Sequence, residues 1–335
     1  MEYRFSVDYY EGGYKLITIA NEDQYIVVPK DAKVPEGLPK DIVVLKQPIE
    51  NIYLAASASM CLFDALNRLD AIKLSGTQAS GWYIDNAKKA MEEGKILFAG
   101  KYSEPDYELL LNNKCPLAIE STMISHSSEV ADKLIELGIN VLVDRSSFET
   151  HPLGRTEWIK LYAALLNEED AANKFFDKQQ AYMTEAMKQE TTGKTAAFFN
   201  ITAAGKAVCR RSGDYVTEMI KIAGGNYVFD SLGDPSSASA TVTIEMETFF
   251  AGAKDADYMI YNATIASEVN SIDELLAKSS LLSEFKAVKE GNVWCTDRNL
   301  YQDTTQAGEM IDAFQKIFSG EADNLDELPA LKRLK

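Results

Sequence analysis

The chain begins with alternating apolar and polar positions. "YRFSVDYY" and "YKLITIA" flank the turn Glu11-Gly12-Gly13, and "QYIVVP" follows, so the first 48 residues predict a small antiparallel β element and a linker. Pro29, Pro35, Pro39 and Pro48 mark an extended connection. From Asn51 the pattern changes to short apolar runs separated by helical periodicity. The strand candidates are "NIYLAAS", "AIKLS", "KILFAG", "CPLAIES" and "INVLVD", with helices predicted over Met60–Leu69, Ile84–Glu93, Glu108–Asn113 and Ser128–Leu137. After Gly193 the same grammar restarts, with "TAAFFNI", "KAVC", "NYVF", "DADYMIYN" and "NVWCTD" as strands. Helices there are predicted over Tyr215–Ala223, Glu247–Ala253, Ser283–Lys289 and Gln306–Phe318. Strands alternating with helices imply parallel βαβ units.

Between these halves runs "ETHPLGRTEWIKLYAALLNEEDAANKFF", which carries no glycine or proline from Arg155 until Gly193. Trp158, Tyr162 and Leu165 recur at helical spacing, as do Ala172, Phe175 or Phe176, Tyr182 or Met183, and Ala186. Asn167 before Glu-Glu-Asp reads as an N-cap, which predicts a short helix, a break and a long helix. At 1.5 Å per residue, roughly 20 residues after that cap would span about 30 Å, one small domain. The fold class expected is therefore α/β: two Rossmann-like lobes with parallel-rich sheets, joined by one long helix, plus the N-terminal β element. The boundaries are 1–48 for that element and its linker, 49–154 for the first lobe, 155–192 for the linking helix and 193–335 for the second lobe. A strut of this kind would leave a cleft between the lobes on its far side.

In open parallel α/β sheets ligands sit outside the carboxyl ends of the strands. Residues at the predicted strand ends include Trp82, Tyr83 and Arg145 in the first half. The second half contributes Arg210, Arg211, the loop "GDPSSASAT", Arg298 and Tyr301. Counting Arg155, five of the eight arginines fall at or near these ends, although lysines outnumber arginines 26 to 8. Arginine suits fixed anionic oxygens because its planar fork binds them bidentately. Trp82 and Tyr83 offer flat apolar area to a bulky ligand. Against each stands a plainer reading: a loop arginine as a solvated charge, and Trp82 as a cap on the core.

Charge and composition narrow the classes. The formal net charge of −17 argues against a nucleic-acid partner. The four cysteines are scattered and form no CxxC pair, so buried small hydrophobes are expected rather than disulfides or thiolate metal sites. Two histidines leave little room for a catalytic triad and rule out a three-histidine metal cage. "GTQASGWY" has P-loop glycine spacing, but Trp82 and Tyr83 stand where Lys and Ser or Thr must be. No GxGxxG follows a strand, and no apolar run reaches the length of a membrane span.

Several stretches resemble the bacterial solute-binding proteins that deliver ferric siderophores, haem or cobalamin to ABC importers, the group with a single rigid linking helix. The resemblance covers about Pro48 to Gly320. It is carried by "PIENIYLAASASMCLFDALNRLDAI", by "GDYVTEMIKIAGGNYVF" and most specifically by "HPLGRTEWIKLYAALLNEEDAANKF". The first of these has Leu66, Asn67 and Arg68 where that family commonly ends its helix with Leu-Gly.

"EPDYELLLNNKCPLAIE" and "TIEMETFFAGAKDADYMIYN" resemble the two segments whose exposed glutamates dock onto the permease. The resemblance thereby implies docking roles for Glu108 and Glu247, with Glu245 the nearest competitor for the second. It further implies a non-enzymatic, extracytoplasmic and monomeric receptor. Its partners would be an ABC permease dimer and a ligand drawn from iron chelates, haem and cobalamins, with no cofactor or metal of its own. The leader, one often ending in a lipid-anchored cysteine, would be absent from this chain. The arginines favour a ferric siderophore or haem over cobalamin. An enzyme using the cleft for tetrapyrrole or metal chemistry, and a free-metal-ion binding protein, are the rival readings.

Overall fold

The computed structural model describes residues 4–234, 237, 239–264 and 268–335. Its chain divides into two compact units, one of residues 1–149, 154–176 and 302–305, the other of residues 150–153, 177–301 and 306–335.

The first unit opens with β1 (Phe5–Tyr9), β2 (Lys15–Ile19), β3 (Asp23–Val28) and β4 (Val43–Lys46). They form one sheet in that order, antiparallel up to β3, with β4 joined parallel to β3. β4 was not expected from the proline-rich connection. On β2 the alternation is strict: Lys15, Ile17 and Ile19 are buried while Leu16 and Thr18 are partly exposed. This face shares a single core with the α/β part of the unit. Ile17, Ile19, Val27 and Leu45 pack in one cluster with Ile119, Trp158, Tyr162 and Leu165, and Phe5 lies 5.2 Å from the Trp158 ring.

The α/β part follows as β5 (Ile52–Leu54), α1 (Met60–Ala65), β6 (Ile72–Ser75), α2 (Asp85–Glu92) and β7 (Leu97–Phe98). A short ribbon, β8 (Gly100–Lys101) with β9 (Glu104–Pro105), leads to α3 (Tyr107–Asn112), β10 (Leu117–Ser121), α4 (Ser128–Glu136) and β11 (Asn140–Asp144). The sheet order is β11-β10-β5-β6-β7, parallel throughout. β10 is buried from Leu117 to Glu120, as a strand covered on both faces must be. On α4, Val130 and Leu134 face inward, and Gly138 beyond the helix takes the left-handed conformation (φ 78°) that lets the chain turn into β11.

The mid-chain stretch folds as α5 (Pro152–Glu157), α6 (Ile159–Leu166) and α7 (Glu169–Ala186). α6 is buried nearly all round, from Ile159 and Leu161 through Leu166. Asn167 corrects the sequence reading: it closes α6 in the left-handed conformation (φ 60°) rather than capping the helix that follows. α7 begins in the first unit and ends in the second.

The second unit contains β12 (Thr195–Ile201), β13 (Ala207–Arg210), α8 (Tyr215–Ile222), β14 (Asn226–Tyr227), β15 (Thr241–Ile244), α9 (Met246–Ala253) and β16 (Tyr258–Tyr261). It continues through α10 (Ile272–Lys278), α11 (Lys286–Glu290), β17 (Val293–Thr296), α12 (Ala307–Ser319), β18 (Glu327–Leu328) and β19 (Leu331–Arg333). The strand order is β15-β13-β12-β16-β17-β19-β18, with β14 beside β12. The centre (β12, β16, β17) is parallel, as expected from the alternation. The flanks are not: β13 runs antiparallel to β12 and to β15, and β19 runs antiparallel to β17. β15, β18 and β19 were not predicted.

Candidate functional site

Three residues of the first unit hold a buried polar knot at the strand ends. Asp144, the last residue of β11, is 4% exposed. One of its carboxylate oxygens accepts the Ser59 hydroxyl at 2.5 Å and also the Tyr162 hydroxyl from α6. The other accepts the Ser146 backbone N–H at 2.8 Å. Asp144 therefore orients the turn after β11 and ties it to the mid-chain helices. It is a structural acid, since it is buried and both carboxylate oxygens have hydrogen-bond partners.

The expected ligand residues of this unit separate. Trp82 is only 2% exposed, belongs to the core with Ile84 and Ala87, and donates its indole N–H to Ser75 Oγ at 3.3 Å. The ring thus packs within the core, the arrangement that the core-capping reading describes. Tyr83 is partly exposed, and its backbone N–H donates to Gln302 Oε1 at 2.9 Å. Arg145 does follow β11, but its guanidinium pairs with Asp23 at 3.0 Å and lies 3.9 Å from Glu22. That charge is engaged in fastening the N-terminal sheet to the parallel sheet. Arg155 likewise turns back onto the carbonyls of Ser147 and Glu149, which supplies the partner a cation at a helix start requires.

In the second unit Arg210 ends β13 and is 7% exposed. Its guanidinium carbon lies 5.5 Å from the Phe198 ring centre and 5.7 Å from that of Tyr215, so two aromatic rings fix its position. Asp214 Oδ1 is 3.8 Å from Nε, beyond hydrogen-bond reach, and that oxygen is already committed to the Val216 N–H at the start of α8. Nε is shielded from solvent and has no hydrogen-bond partner among the described residues. Below it, the Tyr227 hydroxyl accepts the Arg210 N–H at 3.0 Å and lies 3.1 Å from the Arg210 carbonyl oxygen, which pins the strand end. The adjacent Arg211 spans outward to the carbonyls of Ser239 and Ser212. Arg298 is exposed after β17, and Tyr301 is 42% exposed. Pro235, Ser236 and Ala238 of the predicted "GDPSSASAT" loop lie outside the described residues.

Glu108 and Glu247 each stand exposed in the first turn of a helix, α3 and α9. Asp106 caps α3 by accepting the Leu109 N–H at 2.9 Å, so Glu108 is not needed as a cap. Neither glutamate has a basic partner among the described residues. Glu245, in contrast, pairs with Lys206 at 2.5 Å.

One residue that strand-end reasoning missed is Glu120. It lies on β10 with no exposure, and neither carboxyl oxygen has a partner among the described residues. Burial pushes its carboxyl up to about 8, and its charge bears on the phenols of Tyr53 and Tyr107. The four cysteines are all buried thiols, as expected, and burial raises each of them. No helix among the described residues is long and apolar enough to cross a membrane.

Comparison with known proteins places this geometry in a group. The chain is 26% identical over 300 residues to the uncharacterized lipoprotein MJ0878 of Methanocaldococcus jannaschii, covering 86% of this chain and 70% of that protein. A periplasmic binding protein from Veillonella parvula shares the fold with a TM-score of 0.65 at 16% identity, over 95% of this chain and 98% of that one. The periplasmic heme binding protein HutB of Vibrio cholerae shares it with a TM-score of 0.63 at 17% identity, over 79% and 98%. A family model described as periplasmic binding protein matches residues 56–300, so the chain belongs to the periplasmic binding protein family.

Proposed function

We propose that this protein is the extracytoplasmic receptor of an ABC importer, binding an anionic metal chelate, a ferric siderophore or haem, and delivering it to a permease dimer. The observation that carries the ligand class is Arg210. A cation this buried is costly unless it is paired and hydrogen-bonded. Here its partner Asp214 stays at 3.8 Å while Phe198 and Tyr215 hold the guanidinium in place. A carboxylate or catecholate oxygen of a ligand would supply the missing charge-assisted bonds. Family membership and the fold shared with a heme-binding protein support the receptor reading over an enzymatic one. The lipoprotein relative supports the extracytoplasmic location.

Docking would use Glu108 and Glu247. Their exposure, with no basic partner among the described residues, leaves both carboxylates available to arginines of a permease. Glu245, engaged by Lys206, suits that role less.

The test is a thermal-shift panel of ferric hydroxamates, ferric catecholates, haemin, cobalamins and free metal ions. A ligand at about 100 times its dissociation constant adds roughly 2.7 kcal/mol to the folded state. One anionic chelate class should raise the melting temperature, and Arg210→Ala should abolish that shift while melting normally without ligand. A response to cobalamins or free ions alone would overturn the ligand class, and a flat panel would overturn the receptor reading.

A further inference from the structure

The N-terminal sheet lies outside the residues that match the family model. Its buried face reaches the end of α6, where a helix leaves its last carbonyls without donors. Three side chains from earlier in the chain supply them. Lys15 on β2, 5% exposed, donates to the Ala164 carbonyl at 2.9 Å and to Asn167 Oδ1 at 2.7 Å, and pairs with Glu169 at the start of α7. An ammonium has three N–H donors, and here each has an acceptor. Gln47, just after β4, donates to the Leu165 carbonyl and to Asn167 Oδ1, both at 2.9 Å, and accepts from Asn167 Nδ2 at 3.1 Å. Arg68, beyond α1, donates to the Leu166 carbonyl and to Glu168, both at 3.2 Å.

We propose that the N-terminal sheet is a clamp on the bend between α6 and α7: Lys15 and Gln47 grip Asn167 and so fix the direction of the first turns of α7 relative to α6. A left-handed asparagine flanked by helices is sterically tolerable but not self-enforcing, and water could satisfy the same carbonyls in several bend geometries. Donors mounted on a sheet that is itself sewn into the core allow one. The helix dipole adds to this, because the cations Lys15 and Arg68 lie at the negative end of α6. α7 carries the chain across the boundary between residues 176 and 177, one of several places where it passes between the units.

Hydrogen exchange tests it on the full chain carrying Lys15→Met and Gln47→Leu together. Amides of residues 168–172 should exchange at least about tenfold faster, while those of β16 and β17 keep their protection. Unchanged exchange at the bend in a folded double variant would overturn the clamp. Where the double variant loses protection throughout, Asn167→Gly decides. It keeps the left-handed backbone accessible and removes only the gripped side chain. The same local loosening is expected, and native rates at 168–172 in that variant overturn the proposal.

Discussion

Tyr162 donates its hydroxyl to Asp144, joining the middle of α6 to the last residue of β11 across a fully buried contact. The Ser59 hydroxyl bonds the same carboxylate oxygen and lies 3.0 Å from the Tyr162 hydroxyl, so the two donors share one acceptor. Removing one leaves a buried carboxylate short of a charge-assisted bond. Tyr162→Phe should therefore destabilise the protein by about 1–3 kcal/mol. Urea unfolding would read this as a lower midpoint at unchanged slope. An unchanged midpoint would mean that the knot contributes nothing net.

Glu120 gives stability a pH dependence. Its folded pKa of about 8 lies above the ordinary carboxyl value of 4.5, so the folded state holds a proton that the unfolded state releases. Its contribution is complete below pH 4.5, is lost progressively as pH rises through about 8, and is constant beyond. The groups facing it are Tyr53 on β5 and Tyr107 on α3, the latter influenced by Glu129 and Lys133 of α4. Glu120→Gln should remove this component. Its stability relative to the native protein should climb by up to a few kcal/mol between pH 5 and 8. Parallel curves for the two proteins would show that Glu120 ionises normally.

Gly308 opens a close approach between α12 and α7. A Cβ there would lie 2.3 Å from the Gln179 carbonyl oxygen, and Gln179 Oε1 accepts the Gly308 N–H at 3.0 Å. Because the obstacle is backbone, it cannot swing aside. Gly308→Ala should cost about 1–3 kcal/mol despite alanine's better helix propensity, and the melting temperature would fall. A rise would mean that the two helices separate cheaply.

On the docking reading, Glu108→Ala and Glu247→Ala should each reduce uptake in cells carrying the cognate permease while leaving chelate binding by the isolated protein intact. Glu245→Ala should change uptake little, since that side chain is held by Lys206. Full uptake by the double Glu108/Glu247 variant would remove both from the interface.

Much of the architecture was legible because buried parallel strands announce themselves as unbroken apolar runs. "AIKLS", "TAAFFNI" and "DADYMIYN" contain the strands Ile72–Ser75, Thr195–Ile201 and Tyr258–Tyr261. What escaped was marked by weaker patterns. β15 is a half-exposed Thr-Val-Thr-Ile, and β4 hides beyond three prolines. Side-chain fate was less legible than strand position. Arg145 does follow a strand, but its partner Asp23 is 122 residues away, and no local pattern records such a pair. Trp82 turns inward because Ser75 offers its indole an acceptor. Glu120 sits in a strand whose two faces are both covered, so alternation could not distinguish it from a solvent-facing glutamate. Arg210 was named from its position alone. Its aromatic cradle comes from β12 and α8, which only the folded sheet brings together.

Residues 302–305 belong to the first unit although their neighbours on both sides belong to the second. Gln302 accepts the Tyr83 N–H and donates to the Gly81 carbonyl at 2.8 Å, and the Thr304 carbonyl accepts the buried Thr156 hydroxyl at 2.7 Å. In synthesis from the amino end these contacts cannot form until residues 302–304 emerge, after residues 177–301 of the other unit. The first unit is thus closed only after most of the second has been made, with residues 306–335 of the second still to come. Its Gly81–Tyr83 loop and Thr156 of α5 must wait, incompletely bonded, for a stretch of chain that follows most of the other unit.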